Sequence, residues 1–325
     1  MTLSRRSFAA AAAVLATARG IGSARADIYP SRIIKIIVPI SAGSTTDVVA
    51  RHVGESLRAA LGQTVLVDNR PGAGGTIGAG VVAKSPADGY TLLVVSASHT
   101  ANAALYSSLP YDTQKDFRGI TRLAIAPLIL VTSPGKNMKS VADLIARAKA
   151  KPGEMNYGSG GVGSAAHMNA EQFRAMAKFD ALHVPYRGTP EMMADIIAGR
   201  VDFGFISTVT ALGSLRDGKL VALACGAEQR SSLLPDVPTT VEAGVPGSAY
   251  NSWLGMFVPT GTPQEVIDIL NRETVKALQL PETVQKFAAM GADVAPLSAA
   301  DFDIFIAKDL AAIAALVKLA KIPTN

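Results

Sequence analysis

The chain has 325 residues, 49% hydrophobic and 18% charged, so it can build packed cores and is too long for one small domain. Its formal net charge of +5 sits largely at one end, because Arg5, Arg6, Arg19 and Arg25 fall in the first 26 residues, which hold no acid. Setting those four aside leaves 27 basic against 26 acidic residues, which removes any charge argument for nucleic acid or an anionic membrane surface as partner.

Residues 1–26 are read as a secretory leader. Ser4-Arg5-Arg6-Ser7-Phe8 is a charged start of the twin-arginine type, an Ala-rich stretch runs to Ala18, and Ala24-Arg25-Ala26 is a small-x-small processing site. Cleavage after Ala26 and a periplasmic location are expected. The apolar stretch is too short to span a bilayer, and no later stretch reaches the ~18 unbroken apolar residues of a membrane helix. Cys225 is the only cysteine, which excludes an intramolecular disulfide, and its apolar surroundings predict a buried strand position.

In chain order, Ile33-Ile34-Lys35-Ile36-Ile37-Val38 predicts a buried strand. A small polar turn follows, then a helix from Asp47 with Val48, Val49, Val53 and Leu57 at helical spacing, stopped by Gly62. Residues 65–67 predict a strand, Gly72-Ala73-Gly74-Gly75 a loop, the stretch to Lys84 a helix, and 91–95 a third strand. The order repeats: strand 128–131, helix 141–150, strand 154–157, a Gly-rich turn, helix 164–177, and strand 182–184. A helix start at Thr189-Pro190-Glu191 and strands 201–206 and 220–224 follow. A Pro-rich connector covers 235–246, 253–258 is a strand, and the chain from Pro263 is mostly helical.

This β-loop-α alternation predicts an α/β protein with two lobes, each a mostly parallel sheet flanked by helices. The expected layout places 27–126 and 248–325 in lobe 1 and 127–247 in lobe 2, with two chain crossings and a ligand cleft between the lobes.

One small-residue turn stands in each block, between a strand and a helix. The first is Pro39-Ile40-Ser41-Ala42-Gly43-Ser44-Thr45-Thr46-Asp47, and the second is Tyr157-Gly158-Ser159-Gly160-Gly161-Val162-Gly163-Ser164. Such turns let unpaired backbone N–H groups and the positive end of a helix dipole face an anion, with Ser and Thr hydroxyls as added donors. A matching turn in each lobe suggests a pincer on one anion. Asp47 either orients the loop or meets a ligand ammonium, and His167 either lines the cleft or bonds locally. Gly158-x-Gly160-x-x-Gly163, with Asp180 further on, formally matches a dinucleotide fingerprint, but a mid-chain position in an exported protein argues for a plain β-α turn. No Gly-x-Ser-x-Gly elbow occurs there, and His52, His99, His167 and His183 show no metal spacing. Neither a catalytic residue, a metal nor a cofactor is therefore expected.

These turns and several further motifs resemble the Bug family, the TctC-like solute receptors of tripartite tricarboxylate transporters. The motifs are the first turn with Ala50-Arg51, then Asn69-Arg70-Pro71-Gly72-Ala73-Gly74-Gly75, then Leu109-Pro110-Tyr111-Asp112 with Lys115-Asp116-Phe117. Tyr157 through Ser164 with His167, and Pro235-Asp236-Val237-Pro238-Thr239 with Glu242-Ala243-Gly244, complete them. The resemblance covers nearly the whole mature chain. It implies a periplasmic type II binding-protein fold in which the two loops hold a ligand carboxylate. Pro185-Tyr186-Arg187-Gly188 resembles a further cleft-side segment, where Arg187 either pairs with a second carboxylate or makes a structural ion pair. Two departures stand out: Ile40 replaces a frequent aromatic residue, and Ser44 a usual glycine. The expected partners are a small carboxylate ligand and membrane transporter subunits, with the chain a monomer and no nucleic acid bound. A periplasmic sensor feeding a two-component kinase, or an exported enzyme acting on a small acid, are the alternatives.

Overall fold

β-Branched strands alternate with amphipathic helices along the chain and build two separate sheets. The computed structural model describes residues 29–322 and 324, so the leader and its processing site lie outside the described residues. The strands are β1 (Ile34–Val38), β2 (Val65–Asn69), β3 (Thr91–Ser96), β4 (Phe117–Ile125), β5 (Leu128–Thr132), β6 (Asn156–Ser159), β7 (Leu182–Pro185), β8 (Phe203–Ser207), β9 (Val221–Cys225), β10 (Trp253–Pro259) and β11 (Asp293–Val294). The first sheet has the order β11-β4-β10-β3-β1-β2 and the second β7-β6-β8-β5-β9.

The helices are α1 (Thr45–Leu61), α2 (Thr76–Ala83), α3 (Ser98–Leu105), α4 (Val141–Ala150), α5 (Ala165–Ala177), α6 (Thr189–Ile197), α7 (Thr208–Arg216), α8 (Gln264–Leu278), α9 (Pro281–Ala289) and α10 (Ala299–Ala320). Helix α1 shows why they form. Ser44 caps its start, Val49, Val53 and Leu57 repeat on the buried face, and Gly62 ends it at φ 68°, its N–H bonded to Arg58 O.

The expectation of mostly parallel sheets holds for strand direction but not for every pair. β1 runs parallel to β2 and β3, and β6 parallel to β7 and β8. β10 is antiparallel to β3 and β4, β11 to β4, and β5 to β8 and β9. The reversals at β5 and β10 have a topological cause. β5 is the first strand after the chain crosses through 126–127, and β10 the first after it returns through 226–252. Neither crossing contains a helix to carry the chain back to the far edge, so each new strand starts where the last one ended and runs the other way. The crossings lie side by side, with Ala126 N–H donating to Ser252 O at 2.7 Å, and within the second Tyr250 N–H donates to Gly226 O at 2.7 Å.

Each lobe has its own core. In the first, Trp253, Phe257 and Phe302 pack with Phe117 and Tyr111, and the Phe257 and Phe302 rings lie 4.9 Å apart. In the second, Phe173, Phe203 and Phe205 fill one face of the sheet beneath α4 and α5, while Ile129, Val131, Met192 and Ile196 fill the other. Cys225 is fully buried in β9, as its apolar setting predicted. Elements absent from the sequence reading are β4, β11, α3 and α7, and the helical tail divides into α8, α9 and α10. Among the described residues no helix is long and apolar enough to cross a membrane.

Candidate functional site

β1 and β6 are the two strands whose chain continues to a neighbour on one side while a later strand packs on the other. The loops that follow them therefore sit at topological switch points, where α/β sheets open a crevice at their carboxyl ends. These loops are the two small-residue turns of the sequence.

The turns are built alike. In the first, Gly43 takes φ 81°, its N–H donates to Asp47 Oδ2 at 2.9 Å, and Asp47 N–H donates to the Ser44 hydroxyl at 3.3 Å. In the second, Gly163 takes φ 77°, its N–H donates to His167 Nδ1 at 3.2 Å, and His167 N–H donates to the Ser164 hydroxyl at 3.2 Å. Each serine caps its helix, and the residue three positions on returns a bond to the turn. The first-turn N–H groups of Thr45 and Thr46, and of Ala165 and Ala166, have no acceptor among the described residues. Ser44 takes ordinary extended angles, φ −69° and ψ 158°, so its substitution for glycine brings a cap without strain.

Asp47 is 2% exposed and fully engaged. Besides Gly43, it accepts from Asn69 Nδ2 at 2.9 Å and Arg51 Nε at 3.1 Å, and Asn69 Nδ2 also donates to Ile40 O at 3.1 Å. Burial works against its charge, but Arg51, Gly43 N–H and Asn69 together hold its carboxyl below the ordinary carboxylate range. With both oxygens occupied, Asp47 organises the loop and has no face left for a ligand ammonium.

His167 plays the matching part as a neutral ring. It is 3% exposed and stacks on His183 with centroids 4.1 Å apart. Burial, then His183 and Arg174, push its pKa down to about 3, which keeps Nδ1 an acceptor. Beneath it, Ser159 is wholly buried, accepting Gly161 N–H at 3.1 Å and lying 2.6 Å from His183 Nε2.

Between the lobes lies a cleft of about 430 Å³. Of the residues singled out in the sequence, Ile40, Ser41, Gly160, Gly163 and Ser164 line it, and Thr46 lines a water-sized recess of about 10 Å³ sharing its inner wall. Ala42, Gly43, Ser44 and Thr45 form the turn and helix start beside it. Asp47, Ser159 and His167 lie behind the wall. Arg187 is exposed, lies off the cleft wall, and has no hydrogen-bond or ion-pair partner among the described residues. The lobes approach closely: a Cβ on Gly163 would come within 2.7 Å of Leu105 Cδ1.

Half the wall was not anticipated as site. The 71–75 loop supplies Pro71, Gly72, Gly74 and Gly75, and α3 with the Tyr106 that follows it supplies Ser98, Asn102, Leu105 and Tyr106. Asn102 Nδ2 donates to Gly74 O at 2.9 Å and ties the two together. The 98, 102, 105 spacing marks one helical face and was the available signal. The Gly158 fingerprint also has a packing explanation: a Cβ there would lie 2.6 Å from Met192 Cγ, so glycine lets α6 close on the sheet. Among the described residues the cleft wall carries no Asp, Glu, Lys, Arg, His or Cys, so its polarity comes from hydroxyls, an amide, a phenol, backbone groups and helix N-termini.

A two-lobe α/β chain with such a cleft has the architecture of a solute-binding protein. Residues 49–322 match the family described as Tripartite tricarboxylate transporter family receptor, TctC, and the chain belongs to that family. Protein BugT of Bordetella pertussis is 39% identical over 280 residues, covering 86% of each chain. A UPF0065 protein of Pseudomonas sp. strain P51 is 34% identical over 290 residues, covering 89% of this chain and 86% of that one. Among solved structures, an R. palustris protein with adipate is 33% identical with TM-score 0.78, covering 91% of this chain and 100% of the other. MatC from Rhodopseudomonas palustris with bound malate is 30% identical with TM-score 0.73, covering 89% and 100%.

Proposed function

We propose that this chain is a periplasmic receptor that closes its two lobes on a small carboxylate and delivers it to the membrane subunits of a tripartite tricarboxylate-type transporter. The observation that carries this reading is the pair of matched capping turns facing one cleft from opposite lobes, each leaving first-turn N–H groups without acceptors. A carboxylate supplies acceptors for both sets at once, and the two helix dipoles favour its charge. The neutral wall holds an anion without a counter-charge and, among the described residues, sets no carboxylate, imidazole, amine or thiol beside its hydroxyls, which favours capture over chemistry. Relatives solved with adipate and malate support an acid of that size class. We further infer that Arg187, exposed and without a partner among the described residues, pairs with a second carboxylate when the lobes close.

The test is calorimetric titration with a panel of mono- and dicarboxylates including adipate and malate, each beside its amide. An acid that saturates one site, with its amide at least about tenfold weaker, supports the reading, because the amide loses the anionic acceptor. Equal binding of acid and amide contradicts it. Mass analysis of the acid after prolonged incubation should return it unchanged. The periplasmic protein should begin at Asp27, and deleting the receptor should abolish uptake of the same acid.

A further inference from the structure

A second cavity, of about 240 Å³, opens where both chain crossings meet β11. It shares no lining residue with the cleft. Arg122, on β4, forms one part of its wall, and Glu228 in the second crossing and Asp293 in β11 form others.

The Arg122 guanidinium is held in place: Nε donates to Ala295 O at 2.9 Å, and the group lies 5.1 Å from the Phe305 ring centre. Its Nη groups have no acceptor among the described residues. Burial lowers its pKa below the ordinary guanidinium value, with Glu228 acting in the opposite sense. Glu228 has no cation partner among the described residues, and Asp293 accepts only the Ser232 hydroxyl, at 2.6 Å. Arg122 forms no ion pair with either. A fixed, half-buried guanidinium thus turns Nη donors without a protein acceptor toward the cavity, and a planar anion fits that fork.

We propose that this cavity is a second ligand site that takes a small zwitterion such as a neutral α-amino acid. Its carboxylate lies on the Arg122 fork and its ammonium faces Glu228 and Asp293. Because Ile125 at the end of β4, Pro127 of the first crossing and the 227–230 segment of the second share the wall, an occupant ties the two crossings together. If the cleft captures an acid as proposed above, an occupant that prefers one lobe arrangement changes the affinity there, and the acid changes the occupant's affinity by the same factor.

The experiment is calorimetric titration of the full chain with glycine, alanine, serine and threonine, each beside its N-acetyl and amide forms, without any cleft acid present. At least one amino acid should saturate a single site. N-acetylation, amidation, Arg122→Leu and Glu228→Gln should each weaken it about tenfold or more, and Ala165→Pro in the cleft should leave it unchanged. Should Arg122→Leu fail to fold, Glu228→Gln on the exposed crossing decides. The proposal is overturned if no amino acid binds saturably, if both variants bind like the parent, or if Ala165→Pro alone removes binding. Failure of the cleft reading would instead appear as unchanged acid binding in Ala165→Pro.

Discussion

Asp47 and His167 hold the same place in two separate loops: each lies three residues after a capping serine and accepts the N–H of the glycine four residues before it. The lobes thus use one device with two chemistries. The first is anionic and braced by Arg51 and Asn69, and the second is a neutral ring stacked on His183. Neither side chain reaches the cleft wall, so under the proposed reading both would act on a ligand through the loop they shape.

Replacing Asp47 by alanine should therefore loosen the first loop. The loss leaves Gly43 N–H and the Asn69 amide short of a partner, and is expected to cost about 1–3 kcal/mol of stability. Acid affinity should fall by about tenfold or more, since the N–H groups are no longer held in register. Asp47→Asn should recover part of both. Thermal unfolding and calorimetry on the two variants check this, and an alanine variant as stable as the parent would count against the bracing role.

Acid should destabilise the protein through its buried histidines. Burial first of all pushes His99 down to about 4 and His167 down to about 3, so both stay neutral in the fold as pH falls below 6.5. In the unfolded chain they take up protons near pH 6.5. The unfolded state thus binds more protons across that window, and stability falls by about 1.4 kcal/mol per pH unit for each ring until the folded pKa is reached. His99 lies among Tyr111, Phe117 and Phe257, so His99→Phe should be accommodated and should flatten the slope by one such increment. Melting temperatures from pH 7 to 4.5 measure it; an unchanged slope would mean that His99 is not a buried neutral ring.

Trp253 is the only tryptophan and opens β10 directly after the return crossing. Its Nε1 donates to Asp309 Oδ2 at 3.0 Å, and the Thr100 hydroxyl donates to the same oxygen at 2.6 Å. Thr100 belongs to α3, which also lines the cleft through Ser98 and Leu105. Saturating acid should shift or quench tryptophan emission, while Asp309→Ala should lose about 2–4 kcal/mol of stability by stranding both donors. Emission identical with and without bound acid would separate this cluster from lobe closure.

Several elements were legible because their cause is local. The run from Ile33 to Val38 is β-branched, and the turns at 41–47 and 158–164 consist of small residues between a strand and a helix. β4 was not legible, because Arg118, Gly119 and Arg122 break its apolar pattern. It is held by a helix far along the chain. Gly119 N–H donates to Asp303 Oδ1 at 2.7 Å, Arg118 Nε pairs with Asp303 Oδ2 at 2.9 Å, and a Cβ at Gly119 would lie 2.7 Å from Phe302. α3 was hidden for a related reason: His99 and Asn102 look like surface residues until Tyr111, Phe117 and Gly74 close around them. With α3 unseen, the part of the cleft wall formed by Ser98, Asn102 and Leu105 was unseen too. The small-residue pattern found the loops, but it could not tell that Ser159, Asp47 and His167 are consumed in building them.

The account rests on backbone N–H groups from both lobes meeting one carboxylate, and two prolines test that most directly. Thr45 and Ala165 are the first residues of their helices, where proline is well tolerated and the N–H has no helical partner. The residue before each is already extended, Ser44 at ψ 158° and Ser164 at ψ 156°, as a following proline requires. Thr45→Pro and Ala165→Pro should therefore delete one donor each while leaving the helices and melting temperature intact. Calorimetric titration with the tightest-binding acid should show each variant about ten- to hundredfold weaker, the loss of one bond to a charged acceptor. If both variants fold and bind that acid as tightly as the parent, the carboxylate is not held between the two turns.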